Sequence, residues 1–66
     1  MRIEVNGEPR EVADGTTVAD VLAALGLPAN GIAVAVDGEV VPRADHARTT
    51  VTDGAAVEIL TAVQGG

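Results

Sequence analysis

Apolar and polar residues alternate at the start of the chain, where Ile3 and Val5 stand against Arg2 and Glu4. A period of two places one set on a buried face and predicts a strand. Asn6-Gly7 follows directly, a pair that accepts the positive φ angles of a two-residue hairpin turn, so the chain is expected to reverse and continue as a strand near Glu8–Val12. Pro9 has no backbone donor, which places it at the start of that strand or on a sheet edge. Asp14-Gly15 closes the hairpin.

The period then lengthens. Val18, Val21, Leu22 and Leu25 fall at i, i+3, i+4 and i+7, one apolar stripe of a helix, with Ala19, Asp20 and Ala23 directed elsewhere. Thr17 can cap it by accepting the Asp20 backbone N–H, and Asp20 adds negative charge to the first turn. Gly26 suits the left-handed position after the last turn, and Pro28 prevents the helix from resuming.

Ile32, Val34 and Val36 alternate with Ala33 and Ala35, so both faces are apolar and the strand belongs inside the sheet. Asp37-Gly38 makes a second hairpin turn, Glu39–Val41 returns briefly, and Pro42 stops it. Arg43–Arg48 reads as an irregular, solvated stretch, and a further short strand is expected over Thr49–Val51. After a turn at Thr52-Asp53-Gly54, Ala56–Ala62 closes the domain as a strand with Val57 and Ile59 on one face and Glu58 on the other. The order is hairpin, helix, hairpin, closing strand. A sheet with one face covered by one helix satisfies the two-layer rule for a small core, and a last strand lying parallel beside the first would complete it. This is an α+β layout, the β-grasp or ubiquitin-like fold, with a mixed sheet of about four to five strands on one main helix. Residues 1–62 form the domain and 63–66 a flexible C-terminal tail.

Composition narrows the chemistry. The chain has 66 residues, too few for a second domain. It contains no Cys, Ser, Lys, Tyr, Trp or Phe and a single His, which removes disulfides, thiolate metal sites, Ser or Cys nucleophiles and Schiff-base lysines together. Four Arg against ten carboxylates give a formal net charge of −6, which disfavours nucleic acid and anionic membranes as partners. Basic or apolar protein surfaces fit better. No apolar run approaches the roughly 20 residues of a membrane span, and no signal-peptide layout opens the chain, so a cytoplasmic location is expected.

Conventional active-site constellations fail one by one. Asp45, His46 and Arg48 share a loop beside Thr49 and Thr50 without an oxyanion site, and are read as a solvated loop. One His with scattered carboxylates lacks metal-ligand spacing, so no metal site is expected. The chain ends differently, in Ala62-Val63-Gln64-Gly65-Gly66. At average glycine usage near 7%, a terminal Gly-Gly arises by chance in roughly one sequence in two hundred. Two residues without Cβ could enter a channel too narrow for any other, presenting the Gly66 carboxylate to a partner enzyme. A carboxylate is a poor electrophile, so acyl chemistry there needs ATP-dependent adenylation, after which sulfur can replace an oxygen. The carrier itself would need no Cys, Ser or Lys.

The whole chain resembles the ThiS family of sulfur carrier proteins in thiamine biosynthesis. The resemblance rests on Met1-Arg2-Ile3-Glu4-Val5-Asn6-Gly7-Glu8, Thr17-Val18-Ala19-Asp20-Val21-Leu22, Ala33-Val34-Ala35-Val36-Asp37-Gly38, Val41-Pro42-Arg43, and Asp53-Gly54 through to Gln64-Gly65-Gly66, in that order and spacing. It implies a non-enzymatic carrier with no bound cofactor. A ThiF-type adenylyltransferase would spend ATP to activate Gly66, a sulfur donor system would convert it to a thiocarboxylate, and a ThiG-type thiazole synthase would accept the sulfur. Gly65 and Gly66 carry over as functional residues, while His46 stands where the family often has an aromatic residue.

Leu60 and Ala62, on the face opposite Val57 and Ile59, form an apolar patch that could dock the activating enzyme, with Gln64 and Gly65 following into its site. Alternatively, a neighbouring loop covers Leu60. Carriers for molybdopterin or cysteine formation share the Gly-Gly end and remain open as alternatives. So does a non-covalent ubiquitin-like interaction module whose Gly-Gly is incidental.

Overall fold

A computed structural model describes residues 1–28 and 30–61. The elements run β1 (Arg2–Val5), β2 (Glu8–Glu11), α1 (Val18–Ala24), β3 (Ile32–Val36), β4 (Glu39–Val41), a 3-10 turn (Arg43–Asp45) and β5 (Ala56–Thr61). They build one five-stranded mixed sheet in the order β2-β1-β5-β3-β4, with α1 on one face. The β-grasp expectation holds.

Both hairpins turn on the residues expected to turn them. Asn6 and Gly7 have φ of 51° and 84°, and Asp37 and Gly38 have 51° and 86°, the paired positive values that match the twist of adjacent strands. Strand β2 ends at Glu11, a residue before the expected Val12, and it is an edge strand, as Pro9 requires. Strand β3 is interior, paired with β5 on one side and β4 on the other.

The helix is capped at both ends. Thr17 accepts the Asp20 N–H at 3.1 Å and the Asp20 carboxylate accepts the Thr17 N–H at 3.0 Å, so two backbone donors are satisfied reciprocally. At the other end Gly26, at φ 72°, donates to Ala23 O, and Leu27 donates to Leu22 O, the bond pair of a Schellman cap. Between these stops Val18, Val21 and Leu22 are buried against Ile3, Val5, Val34, Val57 and Ile59 from the sheet.

Of two expectations for residues 43–51, one fails and one holds only in part. Thr49–Val51 forms no strand: Thr50 makes an isolated bridge to Thr17, Val18 donates to Thr49 O and Val51 to Thr16 O. The segment therefore pairs with the entrance to α1 rather than with the sheet, while Val51 drops into the core. Arg43–Arg48 is solvated at Arg43, Ala44, Ala47 and Arg48, as expected, but not at His46. The 3-10 turn folds His46 inward until it is 4% exposed, and its carbonyl accepts the Ala19 N–H at 2.9 Å.

Strand β5 is gripped from both sides by side chains of the turn residues. Asn6 donates from Nδ2 to Ile59 O at 3.2 Å and accepts the Ile59 N–H on Oδ1 at 2.8 Å, while its own N–H donates to Val57 O. Asp37 mirrors this on the other side, where its carboxylate accepts the Ala56 N–H at 2.9 Å and its N–H donates to Ala56 O. Asn6→Gly keeps the backbone angle and deletes both side-chain bonds. It is expected to lower unfolding free energy by about 1–3 kcal/mol in urea titration, with the slope unchanged.

Candidate functional site

The functional region builds outward from β5. Alternation turns Val57 and Ile59 into the core and leaves Glu58 and Leu60 on the outer face of the sheet. Leu60 is 68% exposed, so among the described residues no loop covers it, contrary to that alternative. It pairs across the sheet with Ala33, and Ala35 in turn pairs with Val40, which is 74% exposed. Directly opposed residues share a face, so Leu60, Ala33, Ala35 and Val40 form one apolar surface over three strands. Glu58, opposite Ala35, and Glu4, opposite Ala56, border it with negative charge.

Strand β5 is described as far as Thr61, which pairs with Ile32. The remaining predicted site residues, Ala62, Gln64, Gly65 and Gly66, lie outside the described residues. Ala33, Ala35 and Val40 are the members of the surface that sequence reading missed, and Val40, 74% exposed, is the largest of them. A signal for it was present: the two-residue Asp37-Gly38 turn pairs Val36 with Glu39 and therefore Ala35 with Val40.

The helix side of the molecule carries a groove of about 350 Å³ lined by Ala19, Leu22, Ala23, Leu27, Arg43 and His46. The His46 Nε2 lies 3.1 Å from Val41 O. A carbonyl only accepts, so Nε2 carries the proton and donates. Arg48 clasps the Asp45 carboxylate through Nε at 2.9 Å and Nη2 at 2.6 Å, which braces the turn that presents the imidazole. His46 is thus a packing residue with one satisfied donor. Among the described residues no group of three or more His, Asp or Glu stands together, and no helix is long and apolar enough to cross a membrane.

The model of the ThiS family matches residues 3–66. The chain belongs to the ThiS family. Over its full length it superposes on the crystal structure of a thiamine biosynthesis protein (ThiS) from Geobacter metallireducens with a TM-score of 0.85 at 40% identity, covering 100% of both chains. An NMR solution structure of a thiamine biosynthesis protein from the same organism gives a TM-score of 0.80 at 40% identity, over all of this chain and 88% of that one. All 66 residues also align at 35% identity with a thiazole synthase from Paramagnetospirillum magneticum (strain ATCC 700264 / AMB-1). This ThiS-family chain spans 20% of that relative's length.

The buried imidazole allows a direct check. His46→Ala empties a packed site and removes the donor to Val41, and is expected to destabilise the fold by about 3 kcal/mol. His46→Phe restores ring volume without the donor and is expected to cost about 1 kcal/mol. Equal thermal unfolding of the two variants would contradict the packing role.

Proposed function

We propose that this chain is a sulfur carrier for formation of the thiazole of thiamine, with the Gly66 carboxylate as the group that is activated and loaded. The observation that carries the reading is the family match running through residue 66, joined to full-length similarity to a thiamine biosynthesis protein. The acceptor is a thiazole synthase. A segment of this chain's length and 35% identity within a thiazole synthase supports that partner, because linkage on one polypeptide raises the effective concentration of carrier and acceptor.

The chemistry follows from the carboxylate. An oxygen of Gly66 attacks the α-phosphorus of ATP in the partner adenylyltransferase and pyrophosphate leaves, converting a resonance-stabilised anion into an acyl-adenylate. Hydrosulfide-level sulfur from the donor system then attacks the acyl carbon, the carbon–oxygen bond to AMP breaks and AMP departs, leaving a thiocarboxylate. Its sulfur is the nucleophile delivered to the thiazole synthase. Gly65 and Gly66 lack Cβ atoms and pass where no other residue could. The Leu60, Ala33 and Val40 surface docks the adenylyltransferase through an apolar patch, and Glu58 and Glu4 favour basic residues at its border.

Incubation with the adenylyltransferase, ATP and a sulfur source is expected to replace one terminal oxygen by sulfur in the intact mass. An unchanged mass would count against the carrier role. Deleting Gly66 is expected to abolish the reaction while thermal unfolding stays the same, because the core is assembled from residues between Ile3 and Ile59. If the truncated chain still supports a thiazole auxotroph, a non-covalent interaction module is the better reading. Leu60→Asp is expected to alter stability by no more than about 0.5 kcal/mol. The same variant is expected to lower kcat/KM for adenylation by about tenfold, the loss of one central interface contact. Unchanged kinetics would remove Leu60 from the docking surface.

A further inference from the structure

The chain contains two asparagines, Asn6 and Asn30, and each is followed by glycine. An Asn-Gly pair is the sequence most open to self-modification, because a glycine N–H has no flanking Cβ to hinder attack on the preceding side-chain carbonyl. Both Gly7 and Gly31 have positive φ and open space where a Cβ would stand. The carboxamides before them differ.

Asn6 is locked at two points. Its Oδ1 accepts the Ile59 N–H at 2.8 Å and its Nδ2 donates to Ile59 O at 3.2 Å, so rotating Cγ toward Gly7 breaks two bonds and leaves two backbone groups of β5 without these partners. Asn30 is exposed and, among the described residues, tethered at a single point, where its Oδ1 accepts a hydrogen bond from Nη1 of Arg43. That donor is a cation. It withdraws density from the Asn30 carbonyl and sits at the oxygen that gains negative charge when the carbon is attacked, as an oxyanion donor does.

We propose that Asn30 is a deamidation site of this chain, activated by Arg43, and that the Asn6 clamp protects the same dipeptide at residue 6. The backbone nitrogen of Gly31 loses its proton to solvent base and forms a bond to Asn30 Cγ. The Cγ–Nδ2 bond breaks and ammonia leaves, giving a succinimide. Water opens that ring at either carbonyl, producing an aspartyl or an isoaspartyl residue. The net change is amide plus water to carboxylate plus ammonium, with no oxidant or cofactor. The product places a carboxylate against Arg43, which lines the groove beside His46, and makes the net charge one unit more negative than −6.

Peptide mapping by mass spectrometry on the full chain, aged in neutral buffer, reads both positions at once. Conversion at residue 30 is expected to outpace conversion at residue 6 by about tenfold or more, the factor that two lost hydrogen bonds correspond to. In denaturant the two rates are expected to draw together, since both sites then reduce to Asn-Gly. Arg43→Met is expected to slow residue 30 and leave residue 6 unchanged. Equal or faster conversion at residue 6 in the folded chain, or a gap that persists in denaturant, would overturn the proposal. A rate at residue 30 indifferent to Arg43→Met would overturn the assignment of Arg43 as activator.

Discussion

Strand β5 takes hydrogen bonds along both edges, parallel to β1 on one side and antiparallel to β3 on the other, and the two turn side chains Asn6 and Asp37 reach across to its backbone. The rest of the molecule depends on this. The parallel β1/β5 pair is registered only over Glu4↔Ala56 and Val5↔Val57, a short ladder for the middle of a sheet. Asn6 extends it by lending a side-chain amide where another strand residue would supply a backbone one. The same strand gives Val57 and Ile59 to the core, sets Leu60 on the outer surface and leads into the residues that carry the Gly-Gly end.

Most of the fold was legible in the sequence because its signals are local. Asn6-Gly7 and Asp37-Gly38 name their own turns, Thr17 and Asp20 their own cap, and Val18, Val21, Leu22 and Leu25 their own stripe. The parts that were not legible are contacts between distant segments. Asn6 meets Ile59 across 53 residues, and a turn-forming asparagine looks the same whether or not its carboxamide finds a strand. His46 lies among Asp45, Ala47 and Arg48, a neighbourhood that reads as solvent-facing, and becomes buried because the turn before it points the ring inward. Thr49–Val51 has the composition of a strand, but the entrance to α1 takes its hydrogen bonds.

The candidate site divides the same way. Leu60 followed from simple alternation, whereas Val40 required carrying a turn's register across to its neighbour. A chain without Cys, Ser or Lys need not be chemically idle if its partners supply the reactivity. On the carrier reading, the folded body supplies recognition through an apolar face bordered by Glu58 and Glu4, and reactivity is conferred on the terminus by other proteins. The body then has to do one thing well, which is to hold β5 in place.

Native-state amide hydrogen exchange measures that directly, because the Ile59 N–H is bonded to the Asn6 side chain rather than to a strand neighbour. If the clamp is part of the cooperative fold, the Ile59 amide exchanges only through global unfolding, with the same opening free energy as the amides of the buried core, and Asn6→Gly makes it exchange locally. An Ile59 amide in the intact protein that opens well below the global free energy would contradict the central role of β5 in holding the fold together.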